Sequence, residues 1–336
     1  MMPHEVRNEP AVAVLLPCYN EEHTIADVVR RFRETLPHAS VYVYDNNSSD
    51  LTALKARSAG ATVVREPRQG KGNVVRRMFA DIDADIYLMA DGDGTYAPED
   101  APQLINVLLT ERSDMAVGTR RGVTDDAGRA GHAFGNRIFN SLYKRLFGRD
   151  FTDIFSGYRA FTRRFVKSFP AVSGGFEIET EMSVHASQLK LPVSEIALDY
   201  GRRVEGSASK LSTFRDGGRI LWMFAMLMKE TQPLRFFGAF AVVFLGCSLA
   251  LMTPVLFEYA RTGLVPRMPT WVLSVALLLL ATLAAVTGLI LDSVSRGRAE
   301  QKRILYLSLP SGRADRRDRH SAPETGPLPG KTSRAA

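Results

Sequence analysis

The stretch Ile86-Tyr87-Leu88-Met89-Ala90-Asp91-Gly92-Asp93-Gly94-Thr95-Tyr96 decides how the rest of the chain is read. Its first five residues are mostly apolar and read as a strand buried on both faces, and two carboxylates separated by one glycine follow directly. In open α/β sheets ligands collect outside the carboxyl ends of the strands, so Asp91 and Asp93 fall where chemistry is expected. An extended backbone would aim both acids at one cation, and Gly92 between them would let a bulky ligand approach the main chain. Carboxylate oxygens are hard donors suited to Mg²⁺ or Mn²⁺, whose shells commonly retain water and substrate phosphate. A lone Asp-Gly-Asp is also an ordinary polar turn, so its neighbours carry the decision.

Residues 11–16, Ala-Val-Ala-Val-Leu-Leu, read as a second buried strand, ending at Pro17-Cys18-Tyr19-Asn20-Glu21-Glu22. Ile25, Val28, Val29 and Phe32 follow at helical spacing. A strand at 41–44 delivers Asp45 ahead of Asn46-Asn47-Ser48-Ser49-Asp50, and a helix over 52–58 stops near Gly60. A strand at 61–65, the loop Gly70-Lys71-Gly72 and a helix over 73–80 lead back to the opening stretch. Such alternation predicts an α/β fold, a mostly parallel sheet flanked by helices. Gly70-Lys71-Gly72 lacks the spacing of a P-loop, and no G-x-G-x-x-G follows the first strand, which counts against a dinucleotide oxidoreductase.

The end of the chain is different. Residues 236–260 carry one charge, Glu258, and 268–291 carry none, each long enough to cross a bilayer. The loop between them holds Gly263 and Pro266, with Pro269 at the start of the second run, which predicts a transmembrane hairpin. The shorter apolar run at 220–228 suits an interfacial helix or a buried core helix about equally. Arg215, Arg219, Lys229 and Arg235 precede the first span and a Lys- and Arg-rich tail follows the second, against Arg261 and Arg267 in the loop. That asymmetry places both termini in the cytoplasm. The expected divisions are a catalytic domain at 1–215, a juxtamembrane helix at 216–232, the hairpin at 233–292 and a basic, disordered tail at 293–336. Much of the +7 net charge lies beside the apolar runs, so nucleic acid is not the expected partner. Cys18 and Cys247 are far apart and imply no disulfide framework, and no signal peptide is visible at the N-terminus.

Four motifs in order, Pro17-x-Tyr19-Asn20-Glu21-Glu22, Asp45 with Asp50 behind it, Gly70-Lys71-Gly72 and Asp91-Gly92-Asp93, resemble those of inverting family 2 glycosyltransferases, which have the GT-A fold. Met115-Ala-Val-Gly-Thr-Arg120, Arg137-Ile-Phe-Asn-Ser141, Asp153-Ile-Phe-Ser-Gly157-Tyr-Arg159, Gly175-Phe-Glu-Ile-Glu179 and Arg203 through Lys210 are similar to the polyprenyl-phosphate sugar transferases of the dolichol-phosphate mannose synthase type. The resemblance covers residues 11 to 215. It implies nucleotide-sugar binding by Pro17, Tyr19, Glu21, Asp45, Lys71, Asp91 and Gly92, with Mg²⁺ or Mn²⁺ on Asp91 and Asp93. It implies acceptor-phosphate binding by Arg120, Arg137, Ser141, Arg203 and Lys210. Asp93 and Asp153 become the catalytic candidates, Asp153 as the acid that orients or activates the acceptor. The expected partners are a nucleotide sugar, with a UDP-sugar favoured, and a polyprenyl phosphate in the membrane; a homo-oligomer is compatible with the sequence. The chain departs from the pattern at Asn46, where the family often has a second acid, and at Gly206-Ser-Ala-Ser-Lys210, which is one residue longer. Processive synthesis is not expected, because no Gln-x-x-Arg-Trp motif occurs. A glycolipid hydroxyl is the alternative acceptor, and it would require a firm general base. Taken singly, Tyr19 could be a core aromatic and Arg120, Arg137 and Arg159 surface cations.

Overall fold

The computed structural model describes residues 10–121, 144, 151–175, 177–201, 222 and 224–310. Among these residues seven strands form one sheet: β1 (Val12–Cys18), β2 (Ser40–Asp45), β3 (Thr62–Arg65), β4 (Ile86–Met89), β5 (Met115–Arg121), β6 (Arg159–Thr162) and β7 (Val193–Asp199), in the order β3-β2-β1-β4-β6-β5-β7. Only β6 is antiparallel to its neighbours, so the other six strands share one direction. β1 shows why the sheet is covered on both sides. Ala13 and Leu15 enter one core while Val14 and Leu16 enter the other, as the period of two in a strand requires. The first core receives α3 (Lys71–Asp81), α5 (Arg163–Ser168) and α6 (Ile178–Leu189). The second receives α1 (Ile25–Thr35), α2 (Thr52–Ser58) and α4 (Ala101–Thr110). All four apolar positions read as the inner stripe of α1 are buried.

β4 stops at Met89, so Asp91 lies past the end of the strand and Gly92 and Asp93 lie in a turn. Residues 224–231 are helical, and Phe224 and Leu227 pack onto the α3–α5–α6 core, which is the core-helix alternative for this segment. Among the described residues two long apolar helices follow, α7 (Pro233–Thr262) and α8 (Met268–Ser308), each long and apolar enough to cross a membrane. Gly263, in left-handed backbone, ends α7, and Ser248 Oγ donates to the Ser274 carbonyl across the pair at 2.7 Å.

The second helix corrects the reading of the tail. Residues 293–308 are helical and continue α8, where the sequence suggested disorder; 311–336 lie outside the described residues. An Asp292–Arg296 pair at 2.6 Å supports the continuation one turn past the apolar run. Beyond it the helix docks on the sheet domain. Tyr306 Oη donates to Asp114 Oδ2 at 2.7 Å, and Arg303 donates to the Leu189 carbonyl at the end of α6 at 2.7 Å. At 1.5 Å per residue, 41 residues span about 60 Å, roughly twice the hydrocarbon thickness of a bilayer, so one helix is long enough to cross a bilayer and still meet the sheet domain.

His185 on α6 is buried beside this junction, within 3.3 Å of Ser168 Oγ through Nε2, and burial together with Lys302 pushes its pKa down to about 3. The unfolded chain binds a proton on this imidazole below about pH 6.5, whereas the folded one stays neutral until about pH 3, so stability falls as pH drops through that window. We expect a loss of about 2–3 kcal/mol between pH 6.5 and 4.5 from this group. Thermal unfolding against pH should show the slope in wild type and a flatter profile in His185→Leu.

Candidate active site

The reversed strand assembles the site. β1, β2 and β4 end at one edge of the sheet, and β6 begins there, with Arg159 opposite Met89. The loop that feeds β6 therefore arrives beside the Asp91 turn. A Cβ built on Gly157 would lie 2.7 Å from Asp91 Oδ2, so this glycine lets the loop close onto the carboxylate. Arg159, read singly as a surface cation, is fully buried and donates to the carbonyls of Ser156 and Ile154 and to Ser183 Oγ, at 2.8, 2.8 and 3.0 Å. It fixes the loop from below. Tyr96 Oη accepts the Gly157 N–H at 2.9 Å and fixes it from the side.

The acidic turn is held on both flanks. Asp93, 5% exposed, accepts from the Thr95 N–H and Oγ1 at 3.1 and 2.6 Å, and Thr24 Oγ1 donates to the Gly92 carbonyl at 2.7 Å. A side chain at Gly92 would run into Cys18 Sγ. The glycine is thus required by packing of the turn on β1, whereas the sequence suggested room for a ligand.

Lys71, the first residue of α3, donates its ammonium to Asp91 Oδ1 and to Glu179 Oε1 on α6. Burial opposes its charge, but the two carboxylates outweigh burial together and the pKa moves up. Glu179 was visible only as part of a motif; its role depends on a helix more than a hundred residues from Lys71 in the chain, which no local pattern encodes.

Asn46 has a structural reason. Its amide donates to the carbonyls of Glu66 and Arg68 at 3.1 and 2.7 Å, and its oxygen accepts the Gly70 N–H at 2.7 Å. An ionised carboxylate cannot donate to two carbonyls. Asn46→Asp should therefore cost about 2–3 kcal/mol and loosen the Gly70–Lys71 turn. Thermal unfolding with calorimetric nucleotide binding would check both effects.

The loops after β1 and β2 are laced together. Ser48 Oγ accepts the Asn20 N–H at 2.9 Å, Thr52 Oγ1 the Glu21 N–H at 2.8 Å and Asp50 Oδ2 the Glu22 N–H at 3.1 Å. Pro17 is buried opposite Tyr44, and Asp45, opposite Cys18, accepts the Ser48 N–H at 3.3 Å. Tyr19 is 37% exposed at this edge and is not a core aromatic. Arg120 and Asp153, placed in different roles by the sequence, form one bidentate pair: Nε to Oδ2 at 2.6 Å and Nη2 to Oδ1 at 2.8 Å. Burial works against the Arg120 charge, and Asp153 more than offsets it, so the net pKa shift is upward. The guanidinium also lies 5.6 Å from the Tyr200 ring centroid. Arg137, Ser141, Arg203 and Lys210 lie outside the described residues.

Among the described residues no three His, Cys, Asp or Glu side chains cluster as a complete metal cage. Asp91 and Asp93 are hard donors at the strand edge, a set that fits a Mg²⁺- or Mn²⁺-type ion whose shell is completed by phosphate and water.

A mostly parallel sheet flanked by helices, with an acidic turn past β4, is a GT-A-type fold, and in this chain two long apolar helices follow it. Glucosyl-3-phosphoglycerate synthase from Mycobacterium tuberculosis, solved with Mn²⁺, UDP-glucose and phosphoglyceric acid, shares it at a TM-score of 0.54 and 22% identity, covering 66% of this chain and 79% of that one. Residues 13–169 match the glycosyl transferase family 2 domain. The glycosyltransferase AglJ of Haloferax volcanii is 36% identical over 300 residues, 88% of this chain and 98% of the relative. The chain belongs to glycosyl transferase family 2. The undecaprenyl-phosphate mannosyltransferase of Micrococcus luteus is 26% identical over 226 residues, 60% of this chain and 87% of its own length.

Proposed function

We propose that this glycosyltransferase moves a sugar from a nucleoside-diphosphate sugar, with UDP-sugars favoured, to a polyprenyl phosphate in the membrane, with inversion at the anomeric carbon. The observation that carries this reading is α8: a single helix that leaves an apolar hairpin and docks onto the domain bearing the Asp91–Asp93 turn. A soluble acceptor would need no such anchor. The positive-inside pattern supports a cytoplasmic catalytic domain with both termini on the same side.

The donor diphosphate would lie over the edge formed by Pro17, Tyr19, Glu21, Asp45 and Lys71. A divalent cation, Mg²⁺ or Mn²⁺, on Asp91 and Asp93 would supply Lewis-acid stabilisation of the departing charge. Lys71 adds a fixed positive charge on the same side, already in place before reaction. A phosphate monoester has its second pKa near 6, so the acceptor is largely dianionic at neutral pH and needs positioning more than deprotonation. Asp153 fits that demand. Its oxygens are engaged by Arg120 and by the Phe155 N–H, so it orients an arginine in place of waiting for a proton. This disfavours the glycolipid-hydroxyl reading, which needs a firm base. Arg120, with Arg137, Ser141, Arg203 and Lys210, is assigned to the acceptor phosphate.

The test is a donor screen on the full chain in detergent with undecaprenyl phosphate and Mg²⁺ or Mn²⁺, following nucleotide release and transfer of label into the organic phase. Label in lipid from a UDP-sugar is expected. Nucleotide release without lipid label would overturn the acceptor assignment, and label from GDP-sugars alone would overturn the donor preference.

A further inference from the structure

One ammonium faces two carboxylates. Lys71, with its side chain 10% exposed, bridges Asp91 at 31% and Glu179 at 5%. Asp91 is confined on its other side by the backbone of Gly157. The proposed function gives Asp91 to a divalent cation and Lys71 to the donor diphosphate, and the two demands conflict at Asp91 Oδ1, where the ammonium already sits. A buried ammonium resists losing a sole partner, because an unpaired charge in a poorly solvated place is costly. Glu179 removes that difficulty. It lies on a different element, α6, and holds Lys71 at 2.5 Å independently of Asp91.

We infer that Glu179 is a positioning residue: it retains the Lys71 ammonium when a divalent cation takes Asp91, so that the cation and the lysine serve the donor together. In the unloaded protein Lys71 acts as a placeholder on Asp91. Arrival of the cation breaks one of two ion pairs, and Glu179 keeps the lysine at the mouth of α3. The inference rests on the metal assignment of the proposed function, and it concerns only how this chain's charges rearrange.

Mn²⁺ binding to the full chain in detergent without any donor, followed by the electron-paramagnetic signal of free Mn²⁺, tests it. In Glu179→Gln, Lys71 has Asp91 as its one charged partner among the described residues and competes harder, so Mn²⁺ affinity should fall about tenfold. The double variant Lys71→Met with Glu179→Gln leaves the net charge of the site unchanged and removes the competitor, so its affinity should return to the wild-type value or exceed it. Glu179→Asp, which keeps the charge but withdraws it from Lys71, should weaken Mn²⁺ in the same direction and serves if Glu179→Gln does not fold. Unchanged affinity in the folded single variants overturns the inference. A double variant as weak as Glu179→Gln also overturns it, since Glu179 would then act on the cation directly. Absence of Mn²⁺ binding by wild type, with or without UDP, would overturn the metal assignment and this inference with it, whereas normal wild-type binding with unaffected variants overturns the inference alone.

Discussion

Asp93→Asn should lower turnover by about 10²–10³-fold while leaving the unfolding midpoint close to wild type. Asparagine keeps an oxygen where Asp93 Oδ1 accepts from the Thr95 N–H and Oγ1, so the turn retains its hydrogen bonds. What it loses is the charge. On the proposed mechanism that charge acts through the cation at the moment the diphosphate departs, and removal of one such electrostatic element typically costs that much in rate. Asp93→Ala should lose as much activity and some stability besides, because Thr95 loses its acceptor in a buried turn. Steady-state kinetics with unfolding curves on both variants separates the two contributions. Near wild-type turnover in folded Asp93→Asn would remove this residue from the chemistry.

The second large effect lies far from the acidic turn. Asp114, at the entrance to β5, is fully buried, and its carboxylate accepts four hydrogen bonds: Thr162 Oγ1 at 2.8 Å, Arg164 Nε and Nη2 at 2.6 and 3.1 Å, and Tyr306 Oη at 2.7 Å. The Arg164 guanidinium also sits 4.8 Å from the Tyr306 ring centroid. Asp114→Ala would leave a half-buried arginine without its carboxylate and two hydroxyls without an acceptor, a class of change that costs about 3–5 kcal/mol. Tyr306→Phe removes one hydrogen bond and should cost only about 1 kcal/mol. Thermal unfolding in detergent would report both. If Asp114→Ala costs no more than Tyr306→Phe, the cluster is not the anchor of α8.

The parts of this molecule legible in the sequence are those encoded over short spans. The buried runs at 11–16 and 86–90, the inner stripe of α1 and the stop at Gly60 were all readable, because strand and helix periods show within ten residues. So were the family motifs. Three things were not. That Asp153 grips Arg120 depends on β6 running against its neighbours, which places the 151–158 loop at the edge where β5 ends. That Asn46 outdoes an acid depends on two carbonyls twenty residues on. That α8 continues to Ser308 depends on a docking surface made by α5 and α6, and charged composition alone pointed to solvent. Each is a tertiary contact overriding a local signal.

On the proposed function, the unbroken length of α8 also sets the geometry of catalysis relative to the lipid. A rod held in a bilayer at one end and at Asp114 at the other would dictate both altitude and azimuth of the acidic turn above the headgroups. One residue inserted near Asp292 would rotate the docking face by about 100°, while seven would nearly restore its phase and lift the domain by about 10 Å. Under the proposed function the enzyme carries its own gauge, and a lipid phosphate would meet it at a height written in helical turns.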